Sequence, residues 1–427
     1  MERLMQYVWQ HRLLVQNDLH TTDGRRVVII DPGLLNTASG PDFFNAKVEI
    51  GGHIWAGDVE IHVRASDWHR HHHDSDPAYD SVVLHVVDND DASIARRNGE
   101  VIPQMVMRCE KDFHRSYAAL TDRAASDLPC RDWIASLPSI HLTDWVGALA
   151  YERAYFKADR MLELLEEYSG NWEEVIYVTL ARALGFGTNA EPMERLARSL
   201  PLSILRKHAD DPTVIEALMF GQAGLLDHAP SDDPYVVTLR REHAFHAAKF
   251  GLRPLQPLGW KMSGMRPQGF PYRRIARLAQ FVCEDSRFAS RLLSTTDVEE
   301  IVGWFCRPVS GYWAFHYTFG SRTATEITAM GKPSAYGMVI NVVVPLMVAY
   351  GIKRGDDRSI ERAVDMLQSL PSEKNVITDL FGKAGLKSRD AFTSQALIHL
   401  RRMYCEPKRC LFCRIGHRML AASARRR

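Results

Sequence analysis

The stretch GPDFFNAKVEIGGHIWAGDVEIHV, residues 40–63, predicts a β-hairpin and decides the kind of fold at the N-terminal end of the chain. Apolar and polar residues alternate from Phe43, as they do in a strand with one buried face. Gly51-Gly52 then offers a two-residue turn, and the chain returns from His53. Positions whose numbers add to 103 face one another across such a hairpin, so Phe43 is expected opposite Glu60, with Asp42 beside it.

The returning strand carries a polar face. Asp58, Glu60 and His62 alternate with Val59 and Ile61, so a row of acids and imidazole is expected above an apolar core. Strict alternation places Asp42 on the other face from Glu60, so a one-residue bulge, with Gly57 as the candidate, or a kinked strand start is required to bring the acids together. Beyond this strand the segment 67–74 adds two Asp and four His residues, among them His69 and His73.

This layout resembles the PD-(D/E)xK nuclease superfamily, in which an Asp starts one strand of a hairpin and an acid-x-Lys triplet lies on the next. The resemblance covers about 110 residues. It implies a restriction-endonuclease-like domain in which Asp42 and Glu60 hold Mg²⁺ or Mn²⁺ while water and a scissile phosphate fill the open positions. More loosely, the whole chain looks like an uncharacterised bacterial family of unknown function.

His62 stands where the superfamily has lysine. A neutral imidazole could orient water or act as a base, and a protonated one could offset phosphate charge. His85, in the apolar strand 79–87, is either a hydrogen-bonded core histidine or a ligand that joins His62 and the 69–73 segment in a site for zinc, iron or manganese. Asp58, His69, His73 and His85 are therefore expected to support the site, in which the catalytic residues are Asp42, Glu60 and His62.

The remainder of the chain predicts an α+β protein, with an N-terminal mixed sheet and a large, mainly helical C-terminal region. Strands are expected at 26–30, 53–63, 79–87 and 104–107 after a first helix at 3–16, whereas helical spacing begins near residue 145. We therefore predict a nuclease-like domain over 1–125, a helical domain over 126–395 and a Cys-rich basic segment over 396–427.

Composition is that of an ordinary globular protein, with 46% hydrophobic and 25% charged residues and a net charge of +1. The N-terminus lacks the pattern of a signal peptide, which predicts a cytoplasmic protein. The longest apolar run, 338–350, is shorter than the ~20 residues of a membrane span and is expected to be a buried helix, so no membrane association is predicted. No P-loop or dinucleotide-binding glycine pattern is present.

Three cysteines, Cys405, Cys410 and Cys413, lie within nine residues, a spacing typical of metal ligands in a reducing compartment. The fourth ligand is open. His417 would complete a zinc site, whereas Cys283 or Cys306 would make four thiolates suited to zinc or to an iron-sulfur cluster. Some nucleases related to the same superfamily carry a cluster of three late cysteines and one other, which this arrangement resembles.

Basic residues concentrate in two places. The 27 residues from Arg401 hold nine Lys or Arg against one acid, and a second group opens a predicted helix near residue 271. Both are candidate nucleic-acid contacts: Arg266, Arg273, Arg274, Arg277, Arg401, Arg402, Lys408 and Arg409.

These features favour a metal-dependent nuclease with nucleic acid as partner. Two alternatives remain open at this level: a nucleic-acid-binding protein whose nuclease fold is inactive, and a histidine-rich metalloenzyme that acts on a small molecule.

Overall fold

The computed structural model describes residues 1–14, 18–36, 38–108, 111–121, 127–227, 229–255, 259–284 and 287–424. These residues form two compact units. Unit 1 comprises Met1–Trp145, Asp379–Lys387 and Leu400–Arg427, and unit 2 comprises Val146–Thr378 and Ser388–His399. The basic segment at the C-terminus therefore falls in the same unit as the N-terminal sheet.

Unit 1 is built on a seven-stranded mixed sheet, which confirms the α+β class and the N-terminal position of the sheet. Its strands are β1 (Leu19–His20), β2 (Arg26–Asp31), β3 (Leu34–Leu35), β4 (Phe43–Ile50), β5 (His53–Arg64), β6 (Val82–Asn89) and β7 (Gln104–Val106). The order is β1-β2-β4-β5-β6-β7, with β3 paired to β4. β2, β4 and β5 run antiparallel in sequence, whereas β5, β6 and β7 are parallel. An antiparallel bridge from Thr21 to Met105 joins the two edges, so the sheet curls almost into a barrel.

Nineteen helices are described: α1 (Glu2–Gln10), α2 (Asp67–Arg70), α3 (Lys111–Thr121), α4 (Arg131–Ser136), α5 (Ser139–Glu167), α6 (Trp172–Leu184), α7 (Ala190–Ser199), α8 (Leu202–Leu205), α9 (Pro212–Gln222), α10 (Pro234–Phe250), α11 (Pro271–Glu284), α12 (Phe288–Ser294), α13 (Val298–Phe305), α14 (Lys332–Met338), α15 (Val344–Arg354), α16 (Asp357–Ser369), α17 (Val376–Lys383), α18 (Ala391–His399) and α19 (Arg414–Ala424). Short π-helical segments cover Val339–Val343 and Leu400–Cys405. The large helical region expected after the sheet is confirmed.

The predicted hairpin is present, with Ile50 opposite His53 across the Gly51-Gly52 turn. The predicted position of the bulge is wrong. The pairing sum of 103 holds from Ile50 to Ala46, and then Phe43 pairs with Val59, so the extra residue lies in β4 and not at Gly57. Asn45 takes a left-handed conformation there, with φ of 54°. The shift by one residue brings Asp42 opposite Glu60.

Gly57 has another role at this point. A Cβ at this position would lie 2.4 Å from Cγ1 of Val83 and 2.6 Å from the carbonyl oxygen of Ser81. Because glycine has no Cβ, β6 can pack closely against β5 at this position.

The core of unit 1 lies between α1 and the sheet. Leu4, Met5, Val8 and Trp9 of α1 are buried with strand residues such as Ile61. This matches the expectation of a first helix packed on a sheet, although the helix ends at Gln10 and residues 15–17 lie outside the described part.

Unit 2 has its own helical core. One segment, Lys332–Arg354, is long and apolar enough to cross a membrane, but 72% of its most apolar window is buried inside the protein. The prediction of a buried helix in this run is confirmed, and the burial is that of a core helix in a soluble protein.

Candidate metal centre

Asp42 and Glu60 form a cross-strand pair at the start of β4. The backbone N–H of Asp42 donates to Oε2 of Glu60 at 3.0 Å, and the N–H of Ile61 donates to Oδ2 of Asp42 at 3.0 Å. Gln6 of α1 donates to the other oxygen, Oδ1 of Asp42, at 2.8 Å. The two carboxyl groups are therefore neighbours, fixed by three hydrogen bonds, and only Oε1 of Glu60 remains without one of these donors.

The pair has raised pKa values. Burial raises the pKa of Asp42 to about 7, and the charge of Glu60 adds to the effect. Burial likewise raises the pKa of Glu60 to about 8. Glu2 of α1 lies near enough to contribute to both shifts. Two carboxyl groups that resist ionisation together are stabilised as anions by a cation placed between or beside them.

A chain of hydrogen bonds fixes the protonation of His62. Nε2 of Gln104 donates to Oδ1 of Asp90 and to the carbonyl of Ala92, so its Oε1 can only accept. Nδ1 of His85 lies 3.1 Å from that oxygen and must donate. Nε2 of a neutral His85 then accepts from Nδ1 of His62 at 2.9 Å. The chain places the remaining lone pair of His62 on Nε2.

Burial supports this assignment. It lowers the pKa of His62 to about 2, helped by the neighbouring histidines, and lowers the pKa of His85 to about 4. His62 is 1% exposed. At neutral pH the imidazole of His62 is therefore uncharged and offers a lone pair.

Two further histidines approach the same lone pair after the chain turns at α2. His72, with φ of 61°, has a left-handed conformation, and its neighbours His71 and His73 both reach His62. Nδ1 of His71 lies 3.2 Å from Nε2 of His62, and the ring of His73 stacks on Tyr79 with centroids 3.7 Å apart. The donor nitrogens of His62, His71 and His73 all lie within 4.8 Å of one another.

Glu60 lies beside two of these histidines. Its Oε1 lies 3.3 Å from Nε2 of His62 and 3.4 Å from Nε2 of His73. Ligand atoms at 2.0–2.1 Å from a tetrahedral ion are about 3.3 Å apart, so these separations are those of atoms that share one cation. A lone pair on His62 that faces a carboxylate is repulsive unless a proton or a cation lies between them. Three imidazoles and a carboxylate suit zinc, manganese or iron better than magnesium.

The other residues predicted to support the site, Asp58, His69 and His85, lie at different places around it. Asp58 anchors the bulge, since its Oδ1 accepts from the N–H of Asn45 at 3.0 Å and its Oδ2 from the hydroxyl of Ser81 at 2.6 Å. His69 is exposed and lies 3.5 Å from Asp74. His85 is behind His62, where it orients the ring as hydrogen-bond partners of metal-ligating histidines do.

Unit 1 also contains a group of four cysteines. Burial raises the pKa of the Cys405 thiol, and three more thiols, those of Cys130, Cys413 and Cys410, raise it further, so the four thiols interact electrostatically. Cys130 was not among the predicted ligands. His417 instead bonds through Nδ1 to the hydroxyl of Tyr7.

No three of the cysteine sulfurs in the described part of the chain all lie within 4.8 Å of one another. Four thiolates around zinc have sulfur atoms about 3.8 Å apart. Within the described part of the chain, the only group of three or more donors that all approach within 4.8 Å is the histidine group.

The basic residues fall into two kinds. Arg273 and Arg277 are buried and donate to the carbonyls of Trp313 and Trp304. Arg274 is half-buried over the ring of Phe186. In unit 1, Arg401 donates to the carbonyl of Asp127. The side chains of Arg266, Arg402 and Arg409 are exposed to solvent.

The sequence places His71 in the 69–73 segment of candidate ligands without singling it out, and nothing in the sequence marks Gln104 or Cys130. His71 is one of four histidines in five residues, and only the left-handed turn at His72 selects it. Gln104 and Cys130 lie far along the chain from the groups that they serve, and no local pattern marks them.

The fold and the site define an α+β protein with a carboxylate-histidine centre on a mixed sheet. The chain belongs to the family described as "Protein of unknown function (DUF2851)", whose model matches residues 2–376. No curated protein and no solved structure was found to match it.

Proposed function

We propose that this protein is a metal-dependent hydrolase of phosphodiester bonds in nucleic acid, whose ion is held by His62, His71, His73 and Glu60. The observation that carries the proposal is the approach of three imidazole nitrogens within 4.8 Å of one another, with Oε1 of Glu60 at 3.3 Å and 3.4 Å from two of these histidines, His62 and His73. The ion is a transition metal such as Mn²⁺ or Zn²⁺, and this choice revises the Mg²⁺ alternative given by the resemblance.

The phosphodiester substrate is supported by the hairpin. Asp42 precedes β4 and Glu60-Ile61-His62 lies on β5, which agrees with the layout of the PD-(D/E)xK superfamily and with a restriction-endonuclease-like domain. His62 acts as a ligand where that layout has lysine.

Asp42 and Glu60 supply negative charge at the centre. A divalent ion held beside them would polarise a phosphoryl oxygen and make bound water a stronger acid. Glu60 directs Oε1 at the ligand position while Oε2 is held by the backbone of Asp42. Asp42, with a pKa near neutrality, is placed to accept a proton from an attacking water. Tyr79 and Trp68 line the histidine side and limit access of bulk water.

The cysteines form a second metal site. We assign Cys130, Cys405, Cys410 and Cys413 as ligands of an iron-sulfur cluster, supported by the electrostatic interaction of their thiols. This cluster would fix the C-terminal segment within unit 1, where the exposed Arg402 and Arg409 are available to nucleic acid.

A cleavage assay tests the proposal. Labelled single- and double-stranded DNA and RNA are incubated with full-length protein and Mn²⁺ or Zn²⁺, together with a chromogenic phosphodiester. Asp42→Ala, Glu60→Ala and His62→Ala should each lower cleavage by about a hundredfold or more, and His69→Ala, which lies outside the donor set, should retain it.

The other outcomes separate the alternatives. Binding of nucleic acid without cleavage, by protein shown to hold the metal, would favour the inactive module. Hydrolysis of the chromogenic phosphodiester alone would favour an enzyme that acts on a small molecule.

A further inference from the structure

Four arginines line one small pocket in unit 2. Arg273, Arg274 and Arg277 come from the first two turns of α11, and Arg307 follows α13. Gln268 and Thr328 add polar groups, and the other lining residues are apolar. Among the described residues that line the pocket, none is acidic.

The arginine donors are only partly used. Nη2 of Arg277 donates to the carbonyl of Trp304, but its Nε and Nη1 have no partner although the residue is 3% exposed. Nε of Arg274 is also buried without a partner, and its guanidinium lies 4.3 Å from the centroid of the Phe186 ring. Buried unpaired donors of this kind cost free energy unless a ligand satisfies them.

The positive charges of the pocket arginines have few negative partners. Oε2 of Glu284 lies 3.3 Å from Arg307. The bonds of Arg273 go to neutral carbonyls, those of Trp313 and Thr328. Three positive groups in a partly buried space favour an anion with more than one charge, since taking guanidinium groups out of water without a counter-charge is costly.

The polar groups at the rim point to an oxygen-rich ligand. Nε2 of Gln268 donates to Oγ1 of Thr328 at 2.8 Å, which leaves the Thr328 hydroxyl hydrogen free to donate in turn. Planar guanidinium groups bind phosphate oxygens in pairs, and the N-terminal turn of the 14-residue helix α11 adds its positive dipole end.

We infer that this pocket is a binding site for a single phosphoryl dianion, either free phosphate or the terminal phosphate of a nucleic acid. The unpartnered, buried Arg277 is the group that the ligand satisfies. The inference does not depend on the hydrolase proposal, because every residue of the pocket lies in unit 2 and none belongs to the metal centre.

Calorimetric titration of full-length protein tests the inference. The probes are inorganic phosphate, and one oligonucleotide with and without a 5′-phosphate, in chloride buffer of matched ionic strength. Arg274→Gln should weaken binding of the phosphate group by about tenfold or more, since one charge-assisted contact is lost. The matched control Arg358→Gln removes an exposed arginine of α16 in the same unit and should bind as the wild type does.

Arg307→Gln provides a second variant on an exposed residue, so the test does not depend on the folding of a single mutant. Binding of free phosphate alone would assign the site to a small anion, and preference for the 5′-phosphorylated oligonucleotide would assign it to nucleic-acid ends. No phosphate-dependent binding of either probe, or equal binding by Arg274→Gln, Arg307→Gln and wild type, would overturn the inference.

Discussion

Replacing Glu60 by Gln should stabilise the metal-free protein while it removes metal binding. The amide keeps an oxygen to accept from the N–H of Asp42, as Oε2 of Glu60 does. Its NH₂ group can donate to the lone pairs of His62 and His73, which now face a carboxylate oxygen at 3.3 and 3.4 Å. The substitution therefore replaces a strained contact by hydrogen bonds.

The magnitude follows from the pKa of Glu60. Burial raises this pKa from 4.5 to about 8, so the unfolded chain loses the proton more readily than the folded chain. A raised carboxyl pKa gives stability that is complete below the unfolded pKa and is lost as pH rises through the folded pKa. At about 1.4 kcal/mol per pKa unit, the cost relieved by Glu60→Gln is on the order of 4 kcal/mol at pH 7.5 and below about 1 kcal/mol at pH 5.

Hydrogen exchange measured by mass spectrometry is the suitable assay because it reports on unit 1 by itself. The free energy of opening of peptides that cover β5 and β6 is compared between wild type and Glu60→Gln at both pH values, with chelator present. Saturating Mn²⁺ should then stabilise the wild type by about 2.7 kcal/mol at a hundred times the dissociation constant and leave the variant unchanged. A variant that is less stable than wild type at pH 7.5, or a difference that does not shrink at pH 5, would contradict the proposed burial cost of the Glu60 carboxylate.

Three further predictions concern the metal sites. His85→Ala should lower metal affinity by about 10- to 100-fold through loss of orientation at His62, measured by competition with a chelating dye; affinity equal to wild type would contradict this. Metal affinity should rise with pH between 6 and 8, because Asp42 and Glu60, with pKa values of about 7 and 8, must lose their protons; a flat titration of bound metal against pH would speak against the carboxylates. Cys130→Ser should abolish iron and acid-labile sulfide in protein purified without oxygen, whereas Cys306→Ser should retain both; iron retained in Cys130→Ser would exclude it as a ligand.

The hairpin could be predicted because its signals are local. Alternation over 43–50 and the Gly51-Gly52 turn fix the pairing near the turn, and the helical region follows from spacing alone. The bulge at Asn45 could not be placed from the sequence, since a bulge depends on hydrogen bonds such as the one from Asn45 to Asp58, which forms only once the strands meet.

Part of the candidate site could also be predicted, because some of its residues are close together in the sequence. Asp42, Glu60 and His62 lie within one hairpin, so their approach follows from strand geometry. His71 rather than His69 lies near His62 because of the backbone conformation of this segment. Gln104 lies beside His85 because β6 and β7 pair in parallel. Contacts made between distant parts of the chain leave no periodic pattern in the sequence.

The most direct test of the metal centre is a Mn²⁺ titration followed by electron paramagnetic resonance of the free ion, since Mn²⁺ prefers nitrogen and oxygen ligands to the cysteine thiolates. We expect that wild type and His69→Ala each bind one ion per chain tightly, and that His62→Ala and Glu60→Ala lose this ion. Equal Mn²⁺ binding by His62→Ala and wild type, or no tight binding by the wild type, would contradict it.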